Sequence, residues 1–306
     1  MTTDQHMGRT EWALMLILSL FWGASFFFYK VMAGALPPLT VVLGRMGIAA
    51  VMLNIVLRAR GGRLPRGAGE WRDYVVFAVL SNVVPFAMFA FGEEHISSGL
   101  ASILNATTPI FTVLVAHAFT ASEKLSWNKA AGVGFGLAGV VILIGPGVLH
   151  EIGGAYLLGE IACLVASVSY GFAGVFGRRF RGKSLIEVTT AQATAAAVMA
   201  LPLAAVVDHP WTLPMPSLAV WGALVGIATV STVLAYLIYF HVLAKAGATN
   251  ISLVTFLVPV SAVLLGVLFL GEEVNANAIA GMLVIGLGLA AIDGRPFAWL
   301  RRPSPT

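Results

Sequence analysis

Two segments of the chain carry a polar residue followed by two aromatic residues on one helical face. The residues stand at positions i, i+4 and i+7, as Asn82, Phe86 and Phe89 and again as Thr232, Tyr236 and Tyr239. Side chains at this spacing share one face of a helix. Rings beside an amide or hydroxyl can hold a planar apolar group or an ammonium over a ring face. The pattern favours a wall that binds substrate, and packing of rings between helices is the alternative.

A second aromatic face lies closer to the N-terminus. Trp22, Ser25 and Phe26, followed by Tyr29, recur at helical spacing, and a shift of 148 positions aligns Trp22 with Tyr170. Trp22, Ser25, Phe26 and Tyr170 are therefore further candidate substrate-binding residues.

Two formal charges fall inside apolar segments, those of Arg45 and Glu160. Charges at membrane depth are costly and are functional candidates by default. Arg45 could attract a substrate carboxylate or extend outward beneath the lipid headgroups. Its approximate repeat mate, Gln192, is a candidate for the same substrate. Glu160 lies nearer the outer interface, where it is either an interface residue or a group for proton coupling.

Two prolines, Pro109 and Pro259, stand within long apolar segments at matching positions. Each proline leaves a carbonyl one turn earlier without its backbone donor and can bend the helix. We expect hinges or carbonyl acceptors there, and static packing is the alternative. The residues beside them that complete the candidate binding set are Ser102, Asn105, Ser252, Thr255 and Phe256.

The sequence offers little for catalysis or cofactor binding. Residues 134–139 match the GxGxxG dinucleotide pattern, but that fingerprint requires a preceding strand, and these glycines lie in an apolar segment where they favour helix packing. The six histidines lack metal-ligand spacing, and the single cysteine, Cys163, excludes disulfides and multi-cysteine metal sites. We expect no metal site, no cofactor and no enzymatic activity.

The composition predicts an integral membrane protein. Of the 306 residues, 58% are hydrophobic and 10% charged, with a mean hydropathy of +0.90, against about 25% charge in soluble domains. The apolar runs lack the alternation of a β-barrel, so an all-α fold is expected. Ten transmembrane helices are predicted at about 12–34, 38–57, 74–92, 96–119, 128–145, 155–177, 184–207, 217–242, 247–270 and 276–292.

The basic residues give an orientation for these helices. With the N-terminus in the cytoplasm, every lysine and arginine except Lys30 and Arg45 falls in a cytoplasmic loop or terminus. The predicted outer loops are acidic and contain Glu93, Glu94, Glu151, Asp208, Glu272 and Glu273. Both termini are therefore predicted to be cytoplasmic. Topology and contact with anionic lipid account for the basic clusters, so nucleic acid is not an expected partner.

The two halves of the sequence repeat one another. A shift of 150 positions aligns residues 71–123 with 221–273 without a gap and pairs tryptophan, serine, proline and glutamate. Each half holds five predicted helices, an odd number, so the second half enters the membrane from the opposite side. Inverted repeats of this kind build carriers with a site near the midplane. Duplication for stability alone is the alternative.

The chain resembles the drug/metabolite transporter superfamily, and its EamA branch in particular. The resemblance rests on the segment Phe21-Trp22-Gly23-Ala24-Ser25-Phe26, on the two five-helix repeats and on the matched Pro109 and Pro259. It implies efflux of small metabolites, amino acids or drugs across the bacterial inner membrane, with the aromatic amino-acid exporters of that branch as the most similar members. The repeats are expected at 12–145 and 155–293, followed by a cytoplasmic tail at 294–306.

These observations predict a multi-pass secondary carrier that exports small molecules by alternating access. One buried arginine without a basic cluster argues against cargo with several phosphates and favours neutral or zwitterionic amino acids. The expected partners are that substrate and the lipid bilayer. Proton coupling and the oligomeric state stay open, as do two other classes of function, a channel or facilitator and a membrane enzyme acting on a lipid-linked substrate.

Overall fold

The protein is all-helical in the parts of the chain that the computed structural model describes, which are residues 8–120, 127–144, 154–251 and 254–293. The first half contains α1 (Arg9–Met32), α2 (Pro38–Ala59), α3 (Ala68–Ala78), α4 (Val84–His95), α5 (Ser98–Asn105), α6 (Thr108–Phe119) and α7 (Trp127–Ile144). The second half contains α8 (Ala155–Phe176), α9 (Leu185–Val207), α10 (Leu218–Ala228), α11 (Ala235–Ile251), α12 (Val254–Leu270) and α13 (Ala276–Asp293). Short 3₁₀ turns follow α8 at Gly177–Phe180 and α9 at Pro210–Thr212.

Seven helical stretches in the described residues are long and apolar enough to cross a membrane. They are Arg9–Met32, Pro38–Ala59, Ala68–His95, Ser98–Phe119, Ala155–Phe180, Leu185–Val207 and Leu218–Leu243. Three shorter apolar helices, Lys129–Ile142, Val254–Leu270 and Ala276–Ala291, occupy the other positions at which spans were expected. The multi-helix membrane fold is therefore as predicted, and the count of ten spans stays a prediction.

A pair of π-turns occupies matching positions in the two halves. The first, Val79–Val83, joins α3 to α4, and the second, Thr229–Leu234, joins α10 to α11. The shift of 150 positions that aligns the two sequences carries one turn onto the other. A π-turn widens the helix by one residue and is frequently found at functional sites. These turns carry Asn82 and Thr232, the polar members of the two repeated patterns.

The two matched prolines lie in different surroundings. Pro109 is in the first turn of α6, directly after a break at residues 106–107 that separates α6 from α5. The hydroxyl of Thr107 donates to the carbonyl of Leu104 at 2.6 Å and satisfies part of the broken helix end. Pro259 instead lies inside the continuous helix α12. The two prolines were predicted to act alike. Instead, Pro109 follows a helix interruption, whereas Pro259 lies within an uninterrupted helix.

Helices of the two halves pack directly on one another. The cross-half pairs with extensive contact are α1 with α12, α2 with α9, α4 with α8 and α7 with α13. At Gly139 in α7, an added Cβ would lie 2.7 Å from the backbone nitrogen of Ile285 in α13. The GxGxxG segment is thus part of a helix whose glycines allow close packing, as the sequence predicted.

Replacing Gly288 with alanine should destabilise the contact of α13 with α7. A Cβ there would lie 2.6 Å from the carbonyl oxygen of Gly132 and 2.7 Å from the nitrogen of Gly136. We expect a loss of about 1–3 kcal/mol in the free energy of unfolding, as for overpacked cores. Denaturation of the purified protein in detergent measures it.

The matched control is Gly286→Ala, two residues earlier on the same helix. A Cβ at Gly286 has no heavy atom within 4 Å, so this variant gains the same helix propensity, about 1 kcal/mol, without a clash. Equal stability of the two variants would contradict the packing account.

Candidate substrate cavity

A cavity of about 460 Å³ lies between the two halves. Its volume is within the usual range for sites that bind small molecules. Most of the candidates chosen from the sequence line it, namely Trp22, Ser25, Phe26, Arg45, Phe86, Phe89, Asn105, Pro109, Tyr170, Tyr236, Tyr239 and Thr255. Residues from both halves are therefore brought to one site.

Three further candidates lie directly behind the cavity wall. Asn82, Gln192 and Thr232 are buried and contact lining residues without lining the cavity themselves. Thr232 accepts a hydrogen bond from Arg45, and both Asn82 and Gln192 interact with the hydroxyl of Tyr236. They orient the groups that face a ligand.

The remaining candidates do not line the cavity. Ser102 is fully buried and donates to the carbonyl of Gly99 at 2.6 Å. Pro259 is buried within α12, and Phe256 is half-buried against the apolar core. For Ser102 and Phe256, helical spacing and the repeat do not determine which face meets the cavity, because the rotation of a helix is set by its packing partners. The role of Pro259 as a hinge stays a prediction. Ser252 lies outside the described residues.

Arg45 is a buried cation that donates hydrogen bonds to neutral groups of the protein. Its side chain is 5% exposed. Nη1 donates to the hydroxyl of Tyr29 at 2.7 Å, and Nε donates to the hydroxyl of Thr232 at 3.0 Å. The guanidinium carbon lies 3.7 Å from the centre of the Phe86 ring, a cation–π contact. Of the two alternatives for Arg45, the geometry favours the first, because the guanidinium faces the cavity instead of extending toward the headgroups.

This guanidinium forms no ion pair with any carboxylate in the described parts of the chain. The ion pairs found there involve Asp73 and Glu70 with exposed arginines and a lysine near the ends of helices. A buried charge without a counterion is unfavourable unless an anion joins it. Of the five N–H donors of an arginine, the protein uses two here, so a carboxylate of a ligand can be bound by the others.

Aromatic rings form the apolar part of the wall. The rings of Trp22 and Tyr239 lie 5.6 Å apart, and those of Phe26 and Phe89 meet edge to face at 5.4 Å. Phe89 is in turn 6.2 Å from Tyr170. Such spacings are typical of favourable ring pairs and leave ring faces available to a planar group.

Several lining residues were missed by sequence reasoning. Tyr29 was placed on the aromatic face of Trp22 but not among the binding candidates, and the other lining residues that were not proposed are Phe77, Ser81, Thr108, Thr112, Ala173, Gly174, Ser231, Val254 and Val258. A signal existed for Ser81 and Ser231, which align in the repeat and precede Asn82 and Thr232. The Ser231 hydroxyl is buried without a hydrogen-bond partner, so it can bond to a ligand.

Hydrogen bonds join the two halves at one end of the bundle. The carboxylate of Glu272, which follows α12, accepts from the backbone nitrogen and hydroxyl of Ser98, each at 2.8 Å, and from the nitrogen of Gly99 at 3.1 Å. Nearby, the ammonium of Lys30 donates to the carbonyls of Glu93 and Ile96, each at 2.8 Å. We call this region the Glu272 end.

One acidic residue differs from its predicted position. Glu93, expected in a loop, belongs to α4 and is fully buried, because this helix continues to His95. Glu160, expected inside a span, is 1% exposed near the start of α8. Neither carboxyl has a hydrogen-bond partner among the described residues. Arg45 and Glu160 are therefore joined by a third buried charge-bearing group that the sequence did not indicate.

Known proteins resemble the chain along most of its length. A family model described as the EamA-like transporter family matches residues 10–145 and 157–292. The transporter YoaV of Bacillus subtilis is 30% identical over 280 residues, 90% of this chain and 94% of that protein. The inner membrane transporter YedA of Escherichia coli is 27% identical, over 85% of this chain and 83% of that protein.

A plant protein and a solved structure extend the comparison. A chloroplastic WAT1-related protein of Arabidopsis thaliana is 27% identical, over 90% of this chain and 67% of that protein. A crystal structure with 19% identity superposes with a TM-score of 0.65, over 92% of this chain and 97% of that chain, and so shares the fold. The chain, a multi-pass membrane protein, belongs to the EamA-like transporter family.

Proposed function

We propose that the protein is a secondary exporter of neutral or zwitterionic amino acids, with aromatic ones as the best fit, and that it works by alternating access. The observation that carries the proposal is Arg45, a buried cation without a counterion in a cavity walled by rings. A substrate that brings one carboxylate and a planar apolar body satisfies both features. Cargo with several negative charges would lack cationic partners there.

The remaining polar groups of the cavity suit the ammonium of an amino acid. The Ser231 hydroxyl has no partner, and the side chain of Asn105 also faces the cavity. Because Pro109 has no N–H, it cannot donate to the carbonyl of Asn105, which adds a further acceptor in this region. Carboxylate, ammonium and ring would thus each have a separate partner.

The distribution of basic residues assigns a side to each end of the bundle. With ten spans and both termini in the cytoplasm of a bacterial inner membrane, the Glu272 end faces outward. The cavity extends toward Phe77 and Gly174. Gly174 is near the C-terminal end of α8, whereas Gly159, near the N-terminal end, packs on Gly92 and Ile96 at the Glu272 end. The conformation described here would therefore load substrate from the cytoplasm.

Replacing Arg45 with glutamine should remove the preference for a carboxylate. Glutamine is the residue at position 192, the approximate repeat mate, so a glutamine side chain is already tolerated at one such site. Hydrogen bonds to charged groups contribute about 1.5–3 kcal/mol, so we expect phenylalanine binding to weaken by about tenfold to a hundredfold. Competition against labelled phenylalanine in vesicles measures this loss.

The control for this variant is phenylalaninamide, which lacks the carboxylate. The wild type should bind phenylalanine better than the amide, and Arg45→Gln should bind the two about equally. Retained discrimination in the variant would exclude Arg45 as the carboxylate partner.

Alanine at Phe86 or at Tyr236 should impair transport without loss of folded protein from the membrane. Phe86 lies against the guanidinium of Arg45, and Tyr236 lines the opposite half of the cavity. Phe135→Ala removes a ring that is 52% exposed on α7 and serves as the control. Efflux from reconstituted vesicles that is unchanged in both cavity variants would refute the cavity assignment.

The proposed orientation can be tested with cysteines at exposed positions. The native Cys163 is buried, so it should not react. In whole cells, a maleimide that cannot cross the membrane should label Met215→Cys, in a predicted outer loop, but not Ala68→Cys, at the start of α3. The opposite labelling pattern would invert the topology.

A further inference from the structure

Glu93 is a carboxyl enclosed by protein near the C-terminal end of α4. It is 0% exposed, and in the part of the chain that the structure describes neither oxygen has a hydrogen-bond partner. An ionised carboxylate in this position would have lost its water without gaining donors, which strongly disfavours the charged form. In this conformation the side chain is therefore a neutral carboxylic acid.

The elements packed against α4 supply few charges to Glu93. The titratable and charged groups around it are Tyr29 and Lys30 of α1, Arg45 of α2, Glu160 and Cys163 of α8, Glu94 and His95 of α4, and Glu272 after α12. Lys30 directs two of its N–H donors to backbone carbonyls rather than to this carboxyl. Tyr29 is within electrostatic range of Glu93 and also accepts a hydrogen bond from Arg45.

Glu93 also lies next to the contacts that close the Glu272 end. Lys30 binds the carbonyls of Glu93 and Ile96, and the following residues Ser98 and Gly99 are held by Glu272. Opening this end requires the turn between α4 and α5 to separate from Glu272. That movement would admit water to the carboxyl and leave the Lys30 ammonium nearby.

We propose that Glu93 is a proton-binding site that couples protonation to closure of the Glu272 end. With the end closed, the side chain is a carboxylic acid. When the end opens, the O–H bond breaks, the proton passes to water, and the carboxylate is stabilised by water and by Lys30. One proton is released on opening and one is bound on closing. Low pH therefore favours the closed end, and high pH favours the open one.

This inference rests on the proposed alternation between two open states and assigns a proton to one of its steps. Glu160 serves as a control for Glu93, because it is a second buried carboxyl on a different helix. It is buried on α8 and also lacks hydrogen-bond partners. Glu160 lies on α8, whereas Ser98 and Gly99, the residues held by Glu272, follow closely on the helix of Glu93. We therefore expect the protonation of Glu93, and not that of Glu160, to follow the opening of that end.

The first test is infrared spectroscopy of the protein in lipid vesicles across a pH series. The wild type should show carbonyl bands of protonated carboxylic acids, and Glu93→Gln and Glu160→Gln should each lose one component. Glu272→Gln, which weakens the closed end, should shift titration of the Glu93 component to lower pH and leave the Glu160 component unchanged. If Glu93→Gln keeps every carboxylic-acid band of the wild type, the proposal is overturned.

The second test is the pH dependence of phenylalanine efflux, with equal pH on both sides of the vesicle. Exchange of one proton limits the dependence to about tenfold per pH unit. We expect Glu93→Gln to flatten the profile, Glu160→Gln to preserve it and Glu93→Asp to retain a shifted profile. An unchanged profile in Glu93→Gln would overturn the coupling.

The two tests separate the failure of this inference from that of the proposed function. If the wild type moves no phenylalanine, the proposed function fails, while the infrared titration still decides whether Glu93 binds a proton. If transport is observed but the infrared and pH results do not involve Glu93, only the coupling fails.

Discussion

The site depends on one constraint, that a guanidinium buried between the halves must be neutralised. Arg45 is held by Tyr29 of its own half and by Thr232 of the other, with the ring of Phe86 against it. These neutral contacts fix the position of the charge without cancelling it, so the cavity retains a preference for an anion. Because the partners come from both halves, any movement of one half against the other changes the surroundings of this charge.

The internal repeat explains how the site is built around Arg45. The second π-turn brings Thr232 to Arg45, and the matching turn of the first half brings Asn82 to Tyr236, which also meets Gln192. In both cases a polar residue of α2 or α9 is brought near a polar residue from the π-turn of the other half. These pairs are Arg45 with Thr232, and Gln192 with Asn82 through Tyr236. The charge breaks this symmetry, since arginine stands in one half and glutamine in the other. A ligand with two unlike ends is suited to such a site.

The sequence was sufficient to predict the membrane fold and most of the cavity wall, because helical spacing and the repeat both constrain which residues share a face. It was insufficient where packing between helices decides the outcome. The two matched prolines gave no indication that the helix of the first half breaks at residues 106–107 whereas α12 is continuous. Glu93 was placed in a loop because a charge ordinarily ends a span, whereas α4 continues past it and α8 covers it. The hydrogen bonds of Glu272 join residues far apart in sequence and have no local signal.

The closed end is held by interactions of a strength that a ligand can oppose. Glu272 accepts three hydrogen bonds from the first half, and hydrogen bonds to charged groups contribute about 1.5–3 kcal/mol each. Inverting a two-state population from 1:99 to 99:1 requires a differential binding energy of about 5.5 kcal/mol, which is of the same order as their sum. In the alternation proposed above, a ligand shifts the equilibrium only by binding one state better, so the contacts of Arg45 would have to differ between the states. Its two protein partners lie on separate halves, so a movement of one half against the other would change these contacts.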